Sequence, residues 1–171
     1  VTDPREPTTT PPEPTDRRPW APEGRLLGVD YGTVRVGLAV TDPDRIIASP
    51  LETLTRRDDA ADAAYFRGLV AAERIAGLVV GLPVHTGGEE GVKAAEARRY
   101  GAWLATVTGL PVVFWDERFT SSLAEDALLA AGLTKKRRKA RVDRVAAQLI
   151  LQAYMEAGCP PGGSLPSQLE T

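Results

Sequence analysis

Residues 25–40 read RLLGVDYGTVRVGLAV, two short β-rich segments (25–30 and 34–40) separated by Tyr31, Gly32 and Thr33. Apolar runs on either side of a glycine-containing turn predict a hairpin, and a third strand near residues 52–54 extends it into an antiparallel meander. Downstream the period changes. Residues 58–76 set Phe66, Leu69, Val70 and Ile75 at helical spacing, and the unbroken apolar run LVVGL at 78–82 reads as a strand covered on both faces. A second helix (91–106) and a second buried strand (111–115) follow. Ser122 to Glu125 form a capping box that opens a helix ending at Gly132, and a last helix spans about 141–156. The order βββαβαβαα predicts an α/β fold: a mixed five-stranded sheet, with the first, fourth and fifth strands parallel and helices on both faces.

Seven of the 14 prolines lie in residues 1–24, where aliphatic side chains are nearly absent, so this segment is expected to be a disordered Pro/Thr-rich tail. The Gly/Pro-rich stretch 158–171 reads as a flexible C-terminal tail, which leaves one folded domain at 25–157. The apolar runs at 78–82 and 146–151 fall short of the ~18 residues of a membrane span. The acidic, proline-rich start does not resemble a secretory signal, and one cysteine allows no disulfide framework, so the expected location is cytoplasmic.

A net charge of −2 argues against a protein that holds nucleic acid by overall charge. The distribution is more telling. Beyond residue 24 the chain carries 18 acids and 18 bases, and seven of those bases fall between Lys135 and Arg144. Lys135, Lys136, Arg137, Arg138, Lys139 and Arg141 form a local patch able to meet a polyanion, expected as a mobile segment, with a solvated helix end as its plain alternative.

In sheets of this kind ligands collect at the carboxyl ends of the parallel strands. Strand one ends there in Asp30, either a turn cap or a metal ligand, with Gly32 leaving room for a phosphate. Strand five runs into Asp116-Glu117-Arg118, which reads either as exposed charge or as a ligand carboxylate beside a phosphate-gripping arginine. In the last helix Asp143 shares a face with Ala146, Ala147 and Ile150, so the alternatives are a dipole cap or a carboxylate turned to the core. Three acids from separate elements suit a pair of Mg²⁺ or Mn²⁺ ions, and no Cys/His cluster favours zinc. His85, in the glycine-rich stretch after strand four, reads as an ordinary loop histidine or as one that orients a water.

The runs GVDYGTVRVGLAVTDP (28–43), ASPLETL (48–54), VVGLPVHTGG (79–88), VVFWDERFTS (112–121) and RVDRVAAQLILQAYM (141–155) together resemble the successive signatures of the YqgF family, also called RuvX. The resemblance covers nearly all of 25–157. It implies an RNase H-like fold of strand order 3-2-1-4-5 and a metal-dependent nuclease in which Asp30, Glu117 and Asp143 are the catalytic acids and metal ligands. Arg35 and Arg118, with the 135–141 patch, would contact nucleic acid. Glu117 then leaves a strand two removed from Asp30, roughly 10 Å away. The loop after Trp115 must fold back for the two to share a site, and Asp116 is the reserve ligand.

The implied substrates are the 5′ end of pre-16S rRNA or a four-way Holliday junction. The junction needs paired active sites and the RNA does not. No leftover apolar face is evident, so the expected state is a monomer or weak homodimer, with Cys159 placed to form an intermolecular disulfide. A nucleotide phosphotransferase is a weaker alternative, because the phosphate-binding hairpin of actin-like ATPases works between two such domains. A nucleic-acid-binding module without activity is another, and the loss of an acid would mark it.

Overall fold

The computed structural model describes residues 19–85, 90–119 and 135–161. The opening stretch forms β1 (Arg25–Asp30) and β2 (Arg35–Thr41), antiparallel and in register from Leu27 opposite Val40 to Asp30 opposite Gly37. β3 (Ala48–Thr55) pairs antiparallel with β2, whereas β4 (Ile75–Leu82) and β5 (Val112–Asp116) run parallel to β1 on its other side. The order across the sheet is β3-β2-β1-β4-β5, as the resemblance implies.

Side-chain alternation splits the core into two layers. Leu27, Val29, Leu78, Val80 and Phe114 face one side, where α1 (Asp59–Ala72) and α2 (Val92–Thr108) cover them with Phe66, Tyr100 and Leu104. Leu26, Ala39, Val79, Val113 and Trp115 face the other side, where α3 (Lys135–Glu156) contributes Ala147, Ile150, Leu151 and Tyr154. Each fully buried aliphatic among them contributes about 1.5–3 kcal/mol. Helices therefore lie on both faces. α1 starts where the Asp58 carboxylate accepts from the Ala61 N–H at 2.8 Å, and α2 stops at Gly109, whose φ of 68° suits a residue without Cβ.

Four differences from the sequence reading exceed a shift of one or two residues. β3 covers 48–55 rather than 52–54, because pairing with β2 supplies the order that its polar, Pro50-containing sequence does not signal, and an edge strand tolerates a proline. β4 starts at Ile75, so α1 ends at Ala72 and Ile75 belongs to the sheet. α3 begins at Lys135, which makes the basic run 135–141 the first turns of a helix and not a mobile linker; lysine and arginine are good helix formers. Trp20, inside the stretch expected to be a disordered tail, is 5% exposed, packs edge-on to Tyr154 at 5.6 Å and fills the space a side chain would take at Gly77. Residues 1–18, the expected helix at 122–132 and the tail beyond 161 lie outside the described residues.

Candidate active site

Parity along β1 sends Gly28 and Asp30 to the α3 face and Tyr31 to the opposite one. Two glycines let α3 settle close over that end of the sheet. A Cβ on Gly28 would stand 2.8 Å from the Ala147 carbonyl oxygen, and one on Gly37 would overlap the backbone carbonyl of Asp143. Gly37 is the register partner of Asp30, so this contact sets the Asp143 backbone beside the end of β1.

Glu117 arrives from the far side of β4. β5 ends at Asp116, and Glu117 opens a single 3₁₀ turn, Glu117–Phe119. Its carboxylate crosses β4 over Gly81, where a Cβ would collide with Oε1 of Glu117 and stand 2.6 Å from Cδ1 of Ile150. Across that gap the Asp30 carboxyl donates a hydrogen bond to the Glu117 carboxylate. The two-strand separation between these acids is thus spanned by the length of the glutamate and by a missing side chain.

Burial first, and then the negative charges of Glu117 and Asp143, push the Asp30 carboxyl from 3.8 up to about 8. Burial also holds Glu117 above the ordinary carboxylate range; the bond from Asp30 offsets this, and the charge of Asp116 adds to it. Asp143 is turned differently, accepting from Nε of Arg35 at 2.9 Å. Asp116, the reserve ligand, accepts from the Arg118 N–H at 2.9 Å and from Nε at 2.7 Å, so it closes the turn after β5 and engages the arginine expected to grip phosphate.

Asp30 and Glu117 are therefore in direct contact, and Asp143 is close enough to act on Asp30 by charge. Among the described residues no three acid, histidine or cysteine side chains already converge on one point. A cation nevertheless suits this donor set. Two desolvated carboxyls held together by a shared proton are hard oxygen donors whose repulsion a divalent ion would relieve. Two to six residues N-terminal of Asp143, Arg137, Lys139 and Arg141 are exposed on α3, while the side chains of Lys135, Lys136 and Arg138 lie outside the described residues. His85 is an exposed loop residue against Gly91 at the start of α2. Sequence reasoning missed Gly37 and Gly81; the available signal was a glycine interior to an otherwise apolar strand, which often marks a close approach.

The profile of a family described as "RuvX: Holliday junction resolvase" matches residues 24–157. A "Putative pre-16S rRNA nuclease" of Rhodopirellula baltica is 50% identical over 134 residues, 78% of each chain. A relative of the same name from Koribacter versatilis is 43% identical over 140 residues, 82% of this chain and 92% of its own. Among solved structures, Thermus thermophilus RuvC in complex with a Holliday junction substrate is similar at 20% identity and a TM-score of 0.48, covering 78% of this chain and 96% of that one.

Proposed function

The chain belongs to the RuvX family, and from that premise we propose that it is a divalent-metal-dependent endonuclease that hydrolyses nucleic-acid phosphodiesters, acting in 5′-end processing of pre-16S rRNA. The observation that carries the chemistry is the contact of Asp30 with Glu117 across Gly81, with Asp143 beside them. Asp30 and Glu117 would hold Mg²⁺ or Mn²⁺, with Asp143 completing the set for a second ion. Bound there, the metal supplies an activated water and neutralises charge at the scissile phosphate.

The rest falls to the chain's own groups. Asp30 must give up the proton it shares with Glu117 before the pair can act as an anionic ligand set, so basic pH favours loading. Arg35 holds the Asp143 carboxylate in place at 2.9 Å and lies where a phosphate oxygen could compete for its guanidinium. Arg137, Lys139 and Arg141, exposed on the first turns of α3, would line up the backbone without reading sequence.

The family description and the curated relatives' names favour different substrates, a four-way DNA junction and a ribosomal precursor. Junction cleavage requires two sites related by a dyad. The large exposed apolar side chains among the described residues are Val34, Ile46, Ile47 and Val92. Val34 precedes β2 and the two isoleucines follow it, so they make no continuous patch of the size an obligate dimer buries. That favours the RNA. Cleavage of a pre-16S 5′ fragment and a synthetic junction side by side, with Mg²⁺ and with EDTA, tests the assignment. Metal-dependent trimming of the RNA with an intact junction is expected; the reverse pattern would install the junction as substrate, and EDTA-resistant cleavage would remove the metal.

A further inference from the structure

We propose that the groove between the start of α1 and the middle of α2 is a nucleobase pocket, which takes an amino-bearing base of the strand whose phosphate lies at the carboxylates. What occupies the carboxylates rests on the nuclease reading above; the pocket stands on separate observations.

Asp30 and Tyr31 are consecutive and point to opposite faces, so the groove lies at the same end of β1 as the acids but on the α1/α2 face of the sheet. It has a volume of about 400 Å³, within the range of small-molecule sites and ample for one base. Its walls are aromatic. Tyr100 and Trp103 are stacked with centroids 5.4 Å apart and planes 28° apart, and Tyr31 lies 4.9 Å from Tyr100. The Arg56 guanidinium sits over both tyrosines, 5.3 Å from Tyr31 and 5.1 Å from Tyr100, and donates to the turn carbonyls of Gly32 and Thr33 at 3.4 and 3.3 Å. Planar aromatic and guanidinium surfaces are what a splayed base stacks on.

Two residues of this groove each carry a buried polar atom, Nε of Arg56 and the hydroxyl of Tyr100, that has no hydrogen-bond partner among the described residues. Buried polar groups are nearly always satisfied, and a small rotation of either side chain toward the groove would let a bound group accept from it. The acids of the lining outnumber its bases: Asp59, Asp62 and Glu96 against Arg56 and Arg99. The groove therefore has no positive excess that would hold a second phosphate. Asp62 is committed to the Arg57 N–H at 3.2 and 3.3 Å. Asp59 and Glu96 remain as the acceptors at the rim, and they select a base that presents an exocyclic amino group, as guanine, adenine and cytosine do and uracil and thymine do not.

The test uses the full chain carrying Asp30→Asn, so that binding is read without cleavage, and short single-stranded oligoribonucleotides in which one abasic nucleotide is walked along the strand. At one position the abasic site should raise Kd about tenfold, the scale of a lost base stack, and uracil should raise it several-fold. Trp103→Ala should bind the intact and abasic strands alike. If that variant does not fold by circular dichroism, Glu96→Gln is the replacement, and it should bind uracil- and cytosine-bearing strands alike while still responding to the abasic site. A flat abasic scan overturns the pocket, even where the unmodified chain cleaves RNA. A base-dependent Kd, when the unmodified chain cleaves neither substrate, keeps the pocket and overturns the nuclease reading instead.

Discussion

Asp30 at the end of β1 and Glu117 just past the end of β5, two strands separated by β4, are joined by a hydrogen bond that passes over Gly81. Burial and like charge make that contact costly when both groups are ionised, so one proton is held between them.

Gly81→Ala tests the geometry. The added methyl would meet the Glu117 carboxylate and the side chain of Ile150, which sits under it in the core. Glu117 can yield more readily than Ile150, so the expected loss of stability is about 1–3 kcal/mol by urea denaturation. The loss of cleavage should be larger, about a hundredfold, as a displaced ligand group implies. Unchanged kinetics would show that Glu117 does not act from this position.

A pH dependence follows from Asp30. Its pKa is higher folded, about 8, than its ordinary 3.8, so protonation favours the folded state. That contribution is complete below 3.8 and is lost as the pH rises through about 8, with a slope of at most about 1.4 kcal/mol per pH unit. In EDTA, the protein should lose stability between pH 5 and pH 8, and Asp30→Asn should flatten the curve and be the more stable form at pH 8. Parallel curves for the two proteins would contradict the shared proton.

The basic start of α3 should act through phosphates alone. Replacing Arg137, Lys139 and Arg141 by Ala is expected to weaken RNA and DNA binding about equally, and to reduce the log–log salt slope by roughly one for each phosphate that is no longer neutralised. Selective weakening for one nucleic acid would assign these residues to recognition instead.

Trp20 should be a structural plug. Its removal opens a cavity against Gly77 and Tyr154, and Trp20→Ala should cost about 3–5 kcal/mol with little change in kcat for whatever remains folded. A loss below about 1 kcal/mol would mean that the indole is dispensable to the core.

The hairpin at 25–41 and the two parallel strands were legible because their apolar runs and the glycine turn leave few alternatives. So was the Asp143 face of the last helix, which period alone sets beside Ala147 and Ile150. The route by which Glu117 reaches Asp30 was not. From pattern alone the two acids sit roughly 10 Å apart, and only the packing shows that Gly81 opens the way. Trp20 escaped notice because a single aromatic in a proline-rich stretch carries no periodic signal; its burial depends on Gly77 and Tyr154, far away in sequence. The early start of α3 was hidden by charge, since a run of bases suits an exposed helix and a solvated segment equally well.

Cys159, expected to be accessible enough to bridge two chains, is half buried against the core layer under α3. Sedimentation at micromolar concentration should give a monomer with and without reductant. A dimer that persists in reductant and in Cys159→Ser would reveal an interface and shift the substrate toward the four-way junction.

Single-turnover cleavage of a pre-16S 5′ fragment by Asp30→Asn, Glu117→Gln and Asp143→Asn, each confirmed folded by thermal melting, tests the carboxylate site most directly. Each substitution is expected to lower the Mg²⁺-dependent rate by at least about a hundredfold while RNA affinity in EDTA is kept. Full activity in Asp30→Asn, or an Asp143→Asn protein that is merely unstable and otherwise active, would contradict this expectation.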